Sequence, residues 1–186
     1  MSLQKKKPLS THHSRRGFIR NSAILAAGFH IVPRHVLGRG YTAPSDKLNI
    51  AGIGAGGKAE VNLPNAFNNG SDNIVALCDV DDRMATSARK LWPKAPYYRD
   101  YRELLQKEAK NIDAVIITTP DHMHAPMALA AMQMGKHVYL EKPLTHDIYE
   151  ARILTQAAAK YKVVTQMGNQ GSSGDDTRRI ETWVQD

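Results

Sequence analysis

The chain of 186 residues has little cysteine and no long apolar run. Its single cysteine, Cys78, cannot form an intramolecular disulfide, and one cysteine excludes a cysteine-rich zinc site. No uninterrupted apolar stretch approaches the roughly 20 residues of a membrane-spanning helix, so no stable membrane span is expected. The rest of the composition, 42% hydrophobic and 23% charged residues, is ordinary for a globular protein.

Acidic residues are missing from the first 40 positions, which hold eight lysines and arginines. The formal charge of +7 is therefore concentrated at one end, because residues 41–186 contain 17 basic and 18 acidic residues and are close to neutral. A nucleic-acid-binding protein carries excess positive charge on its folded surface, where it displaces counterions from phosphates. The charge distribution argues against a nucleic-acid partner.

The N-terminal segment has the pattern of an export signal. Paired arginines and an aromatic residue stand in 14–20, and ten mildly apolar residues follow at 23–32, too few to cross a bilayer as a helix. This pattern is typical of a twin-arginine signal peptide. We expect residues 1–43 to be signal peptide and connecting arm, and the protein to be exported by this pathway, to the periplasm or an equivalent compartment. A disordered basic tail is the alternative.

From residue 47 onward, short apolar runs alternate with helical patterns. Strands are predicted at 48–53, 74–78, 112–118, 137–140 and 162–165, and helices at about 57–69, 82–92, 100–110, 122–134 and 146–161. Three of the strands are rich in Val and Ile without period-two alternation, as expected of strands buried on both faces. The alternation predicts an α/β fold, a doubly wound parallel sheet of the Rossmann type, over residues 44–175.

Local signals refine the helix positions. Asp100, Asp121 and Thr145 are candidate N-caps of the last three helices. Pro64 falls inside the first helix, where it removes a hydrogen bond and crowds the preceding turn. That helix is therefore expected to be short and kinked, or to restart near the proline.

A G-x-G-x-x-G pattern, formed by Gly52, Gly54 and Gly57, follows the first predicted strand and opens a helix. In this context the glycines allow a sharp turn, the approach of a pyrophosphate to bare backbone, and close helix–strand packing. The helix N-terminus adds unpaired N–H groups and partial positive charge. The predicted dinucleotide contacts of this loop are Gly52, Ile53, Gly54, Ala55, Gly56 and Gly57.

An acidic residue, Asp79, ends the second predicted strand, 22 residues beyond Gly57. A carboxylate there can accept hydrogen bonds from both hydroxyls of an adenosine ribose, and it would repel the extra phosphate of NADP. NAD is therefore the expected cofactor and NADP the less favoured one. Arg83 lies close enough in sequence to attract that phosphate, which keeps NADP open.

Two further segments follow later strands, at the edge of the sheet where ligands of such folds bind: Thr119–His124 and Glu141–Pro143. Together with the glycine loop and Gly135–Val138, they resemble the Gfo/Idh/MocA family, the relatives of glucose–fructose oxidoreductase and inositol dehydrogenase. The resemblance runs from about Leu48 to Gly171. The Glu-Lys-Pro element, at its distance from the glycine loop, is a specific part of it.

The resemblance implies a role for each residue of these segments. Thr119, Pro120 and His124 would line the nicotinamide side, and Glu141 would contact the cofactor ribose or nicotinamide. Lys142 would be the catalytic residue, beside the hydride-transfer carbon and the substrate hydroxyl. Oxidation of a carbinol couples proton loss to hydride departure, and a nearby ammonium stabilises the developing alkoxide and relays the proton. The alternative for Lys142 is an ordinary surface lysine.

The family also implies a second, α+β substrate domain, of which residues 176–186 would be only the truncated beginning. The expected protein is thus the N-terminal part of an exported NAD(P)-dependent oxidoreductase. It would transfer hydride between nicotinamide and the hydroxyl of a sugar, glycoside or polyol. The full-length form is expected to be a homo-oligomer, and this chain alone to be inactive.

Two other functions stay open. An NAD-dependent glycosidase would use the same nucleotide domain to oxidise a sugar transiently, although Lys142, between a glutamate and a proline, favours the dehydrogenase. The other is an inactive nucleotide-binding remnant. No metal site is expected, because His122 and His124 are the only imidazoles of their segment and a zinc site takes three or four ligands.

Overall fold

A computed structural model describes residues 43–185, which form one six-stranded parallel sheet with helices on both faces. The strand order is β3-β2-β1-β4-β5-β6, and every neighbouring pair is parallel. The strands are β1 Asn49–Ile53, β2 Asn73–Cys78, β3 Tyr97–Tyr98, β4 Ala114–Ile117, β5 His137–Glu141 and β6 Thr165–Gly168. The predicted doubly wound α/β fold is confirmed.

Seven α-helices connect and follow the strands within this described region. They are α1 Ala59–Phe67, α2 Thr86–Leu91, α3 Tyr101–Glu108, α4 His124–Gln133, α5 Ile148–Tyr161, α6 Gln170–Ser173 and α7 Asp175–Gln185. No helix of residues 43–185 has the length and apolar character that crossing a membrane requires.

The central strands are buried on both faces, as their unbroken Val and Ile content predicts. On one face, Ala51, Val115 and Ile117 pack with side chains of α3, α4 and α5. On the other face, Ile50 and Ile116 pack with side chains of α1 and α2. The chain therefore changes face between β3 and β4, which places the point of reversed strand order between β1 and β4.

Two strands differ from the sequence-based expectation. The last one is Thr165–Gly168 instead of 162–165, because Lys162 caps α5 in the left-handed region with φ 55° and cannot begin a strand. The edge strand Tyr97–Tyr98 was missed, since two residues are too few to give a periodic signal.

The helix starts also correct some predictions. Asp100 caps α3 as predicted, with its side chain accepting from the Arg102 N–H. Asp147, not Thr145, caps α5, since its carboxylate accepts from the Glu150 N–H at 2.8 Å. Asp121 is not the cap of α4, because a 3-10 turn at Asp121–Met123 precedes that helix. Helix α1 contains Pro64 and is short, as expected, ending after nine residues.

The predicted signal peptide and arm cover residues 1–43, of which 1–42 lie outside the described residues, and the predicted domain boundaries at 43 and 175 stay predictions. The described region itself begins at Ala43 and runs without interruption through the sheet to α7. The site is therefore derived from this region alone.

Candidate functional site

An open cleft of about 700 Å³ lies at the carboxyl ends of β1, β2 and β4. This is the position at which a doubly wound sheet binds its ligand, beside the reversal of strand order. Gly54, Gly56 and Gly57 of the glycine loop line it with Asp79 and the Thr118–Pro120 segment, whereas the predicted contacts Gly52 and Ala55 are buried and do not. Its other lining residues are Ile53, Lys58, Cys78, Val80, Asp81, Met84, Arg99, Asp100, Tyr101, Arg102, His122, Met123 and Met127.

Gly54 sits at the turn between β1 and α1 with φ +84°, in the left-handed region that favours glycine. A Cβ atom there would lie 2.9 Å from the carbonyl carbon of Thr118, closer than real Cβ atoms come. The Thr118 hydroxyl also donates to the Gly54 carbonyl. The turn is therefore pressed against the end of β4, and only glycine fits this position.

The backbone N–H groups of the glycine loop divide into two sets. Gly54 N and Ala55 N donate to the Cys78 carbonyl at 2.8 and 3.1 Å, which fastens the loop to the end of β2. Gly57 N and Lys58 N have no acceptor among the described residues, and both residues line the cleft. Two free donors at the start of α1 make an anion site, where the helix dipole adds partial positive charge.

Asp79 is half-buried at the end of β2, and its carboxylate already has two backbone donors. Gly56 N donates to Oδ2 at 3.1 Å and Asp81 N donates to Oδ1 at 3.0 Å. The first bond crosses from α1's glycine loop to β2, so the acid and the loop form one unit. Each carboxylate oxygen keeps a lone pair for a further donor, such as a ribose hydroxyl.

Arg83, the residue that could favour NADP, pairs with a neighbour on the rim of the cleft. Its Nη2 lies 2.7 Å from Asp81 Oδ2, and the arginine side chain is almost fully exposed. This pairing lowers the pKa of Asp81 to about 2, chiefly through the side-chain hydrogen bond from Arg83. Asp81 is therefore ionised at neutral pH, but the adjacent Arg83 balances its charge, so the unpaired negative charge at this end of the cleft is that of Asp79.

Cys78 lines the cleft but is only 3% exposed. Burial, and secondly the negative charge of Asp79, raise the pKa of its thiol from 9.0 to about 12. The thiol is therefore protonated at neutral pH, and Cys78 is not a thiolate nucleophile.

The β4 end contributes a half-buried Thr119 and an exposed Pro120, which line the cleft. Their expected place on the nicotinamide side stays a prediction. The Thr119 hydroxyl lies 3.4 Å from the sulfur of Met127, on α4. His124 behaves differently, because its imidazole has no exposed surface and is absent from the cleft lining. His124 therefore does not line this cleft, and its expected contact with the nicotinamide side stays a prediction.

His124 contacts two backbone carbonyls. Its Nε2 lies 2.8 Å from the Thr119 oxygen and its Nδ1 lies 2.8 Å from the Pro143 oxygen. Carbonyl oxygens only accept, so a neutral imidazole with one N–H bonds one of them, and an imidazole protonated at both nitrogens bonds both.

Glu141 and Lys142, at the end of β5, lie outside the lining of this cleft. Glu141 is 5% exposed, and its Oε1 accepts from the amides of Asn62, on α1, and Gln170, on α6. Lys142 is exposed, and its ammonium has no partner among the described residues. The structure thus holds the glutamate firmly and leaves the lysine free.

Sequence reasoning missed most of the wall opposite the glycine loop. Met84 stands directly over Gly56, where an added Cβ would come 2.6 Å from the Met84 Cβ. Arg99 donates to the Val80 carbonyl at 3.0 Å, which holds the segment after β3 at the rim. The sequence signal that could have found this wall is the N-cap residue Asp100. A helix that begins there places the preceding residue, Arg99, at the carboxyl end of the sheet, where the glycine loop also lies.

No group of three or more His, Cys, Asp or Glu side chains within residues 43–185 is arranged to hold a metal ion. The two histidines of the β4 loop are separated by their environments, since His122 is exposed on the cleft and His124 is buried behind it.

The model of an oxidoreductase family, with an NAD-binding Rossmann fold, matches residues 48–169. This match covers the sheet and every residue of the cleft described above. It ends at Asn169, directly after β6.

Similar proteins include both glycosidases and dehydrogenases. A glycosyl hydrolase family 109 protein of Stenotrophomonas maltophilia is 37% identical over 138 residues, which is 68% of this chain and 29% of that protein. An alpha-N-acetylgalactosaminidase of Shewanella oneidensis is 30% identical over 163 residues, 80% of this chain and 35% of the relative. The crystal structure of myo-inositol 2-dehydrogenase from Lactobacillus plantarum superposes with a TM-score of 0.66 at 27% identity, over 75% of this chain and 41% of that one. The chain spans about a third of the length of the curated relatives it matches.

Proposed function

The chain belongs to the Gfo/Idh/MocA oxidoreductase family and carries its NAD-binding Rossmann domain, and from this premise we propose that it serves hydride transfer between NAD and the hydroxyl of a sugar, glycoside or polyol. The observation that carries the proposal is the cleft itself, with a glycine turn, two free N–H groups and an acid at one end. Because the chain is about a third of its relatives' length, the proposal concerns the part that a longer protein uses to hold the cofactor.

The residues present fit a dinucleotide. Gly54 leaves backbone where any side chain would collide with Thr118, and the N–H groups of Gly57 and Lys58 can donate to a diphosphate. Asp79 can accept from the ribose hydroxyls while it remains bonded to Gly56. When bound, NAD supplies an acceptor for the hydride that leaves the carbinol carbon.

We assign to Lys142 the role of receiving the proton of the substrate hydroxyl. As hydride leaves a carbinol carbon, the hydroxyl proton must also leave. An ammonium cannot accept a proton, so Lys142 would first release one to solvent and then receive the hydroxyl proton as a neutral amine. Lys142 is exposed and unpaired within the described region, whereas the adjacent Glu141 is fixed by Asn62. Glu141 would orient the backbone that bears the lysine, since its Oε2 accepts from the Lys142 N–H at 3.3 Å. Contact of Glu141 with the cofactor, and the catalytic role of Lys142, are predictions.

A second function is favoured by a different observation. The curated relatives described above are glycosyl hydrolases of family 109, one of them an alpha-N-acetylgalactosaminidase. An NAD-dependent glycosidase would begin with the same oxidation and then expel the aglycone, restoring the sugar without net consumption of NAD. Lys142 within Glu-Lys-Pro favours the dehydrogenase.

The two activities are separated with a form of the protein extended to the length of its relatives. Release of nitrophenol from aryl glycosides without net NADH would support the glycosidase. Net NADH from a free sugar or polyol would support the dehydrogenase. A protein that binds NAD and does neither would be the nucleotide-binding remnant.

The decisive experiment on the present chain is calorimetric titration with NAD⁺ and NADP⁺. We expect weak binding of NAD⁺, weaker binding of NADP⁺, and no measurable turnover. Asp79→Ala should lose affinity for NAD⁺ and lose the preference for it. The matched control is Asp82→Ala, an exposed acid nearby whose carboxylate accepts from the Tyr97 hydroxyl. Equal binding of both nucleotides by the parent chain would contradict the role of Asp79.

Export and assembly form a separate part of the proposal. The paired arginines at 15–16 support twin-arginine export, and replacing both with lysine should retain the protein in the cytoplasm in a fractionation assay. A homo-oligomer is proposed for the extended form only, and its mass in solution, measured by light scattering, tests it.

A further inference from the structure

His124 joins two loops that the proposed function places on either side of the reaction. It is the first residue of α4 and is completely buried. One ring nitrogen lies 2.8 Å from the Thr119 carbonyl in the loop after β4, and the other lies 2.8 Å from the Pro143 carbonyl in the loop after β5. Pro143 directly follows Lys142, so this contact lies one residue from the proposed proton acceptor.

The neighbouring contacts show that little else ties these loops. Within the described region, the Lys142 ammonium has no partner, and the Lys142 N–H reaches only the adjacent Glu141 side chain. The Thr119 hydroxyl contacts the sulfur of Met127, a residue of α4. The imidazole is the side chain whose hydrogen-bonding atoms reach the backbone of both loops.

We propose that His124 is a positioning residue: with a proton on each ring nitrogen, its imidazole donates to both carbonyls, ties the loop after β4 to the loop after β5, and thereby fixes Lys142 relative to Thr119 and Pro120. The inference rests on the proposed function for the role of Lys142, but the tie itself does not. Positioning matters because a displacement of about 1 Å at a reacting group can cost on the order of a hundredfold in rate.

A buried histidine that only fills space is the competing explanation, and two variants separate it from the tie. His124→Phe keeps an aromatic ring of similar size and removes both nitrogens. His124→Gln fills the space less well but keeps an N–H donor. If His124 only fills space, amide exchange in the phenylalanine variant should resemble that of the parent chain, and the glutamine variant should exchange faster. If His124 ties the loops, the phenylalanine variant should exchange faster than the glutamine variant.

The test uses the full 186-residue chain and amide hydrogen exchange resolved by segment. In His124→Phe, we expect segments 118–123 and 141–145 both to exchange about tenfold faster, the size expected when each loop loses one hydrogen bond to a backbone carbonyl. His124→Gln should lie between this variant and the parent. The control His146→Phe, at an exposed histidine, should match the parent. Acceleration of neither segment, or of one alone, would overturn the proposal.

A measurement on the unaltered chain covers the case in which His124→Phe does not fold. The tie requires an N–H on each nitrogen of the His124 ring that exchanges slowly with water, which a long-range proton–nitrogen NMR correlation detects. A ring with only one N–H, or exchange as fast as at the exposed His146 ring, would overturn the tie.

Titration with NAD⁺ then distinguishes the two proposals. Site-resolved reductive methylation should show that NAD⁺ protects Lys142 in the parent chain and about tenfold less in His124→Phe, with calorimetry confirming that the variant still binds NAD⁺. Equal protection in both would overturn the positioning of Lys142. Absence of NAD⁺ binding by the parent, with a slowly exchanging N–H on each ring nitrogen, would refute the proposed function and support the tie alone.

Discussion

Replacing Gly54 with alanine tests how the glycine turn is built. The new Cβ would be placed on a residue with φ +84°, a conformation that costs an L-residue about 1–2 kcal/mol. It would also lie 2.9 Å from the Thr118 carbonyl carbon and 3.0 Å from the Thr119 Cγ2. Because two of the nearest atoms are backbone, relief requires a shift of β4's end, which adds about 1–3 kcal/mol.

The sum predicts that Gly54→Ala lowers the free energy of unfolding by about 2–5 kcal/mol, a large share of the ~5–15 kcal/mol that stabilises an ordinary domain. Denaturant unfolding followed by circular dichroism measures this loss, and the melting temperature should fall by on the order of 10 °C. NAD⁺ binding should be lost in the same variant, since any relief moves the loop away from the end of β4.

The matched control is Gly171→Ala, where an added Cβ meets nothing within 4 Å and the residue lies in helix α6. This change should be neutral or stabilise by up to about 1 kcal/mol. The reasoning would be refuted if Gly54→Ala unfolded within about 0.5 kcal/mol of the parent and still bound NAD⁺ with unchanged affinity.

Three further predictions concern the framework of the site. Leu63→Ala, at a residue with no exposed surface, should lower the free energy of unfolding by about 2–5 kcal/mol, whereas Leu91→Ala, at a 60% exposed residue, should stay within about 0.5 kcal/mol of the parent in the same urea titration. Asp147→Ala should remove the cap of α5 and cost about 1 kcal/mol, more than Thr145→Ala; the opposite order in denaturant unfolding would contradict the cap assignment. Burial raises the pKa of the Cys78 thiol to about 12, so the unfolded chain loses this proton first as pH rises above 9. Between pH 9 and 12 the free energy of unfolding should therefore fall more steeply in the parent than in Cys78→Ala, by up to about 1.4 kcal/mol per pH unit. Parallel stability curves of these two proteins would show that the folded state does not hold the thiol proton.

The parts of the site that are local in sequence were predictable. The glycine turn, its strand and its helix are contiguous, and Asp79 ends a strand whose apolar run is unambiguous. Parallel strands end at one edge of the sheet, so their loops had to meet near the cleft. Thr119 and Pro120 accordingly line it.

The parts that depend on contacts between distant segments were not predictable. The resemblance placed His124 on the nicotinamide side, but the buried imidazole contacts the carbonyl of Pro143, 19 residues away, as well as that of Thr119. Glu141 is held by Asn62, 79 residues earlier on α1. At the end of α5, the left-handed Lys162 delays the following strand, a backbone choice that side-chain periodicity does not report.

The central claim, that this cleft holds NAD, is tested most directly by a backbone NMR titration of the 186-residue chain with NAD⁺. We predict that the largest amide shifts occur at Gly57 and Lys58, whose N–H groups have no acceptor in the described region, followed by Asp79 and Thr119 around the same cleft. Saturable shifts confined to residues outside this cleft, or no shifts at millimolar NAD⁺, would contradict it.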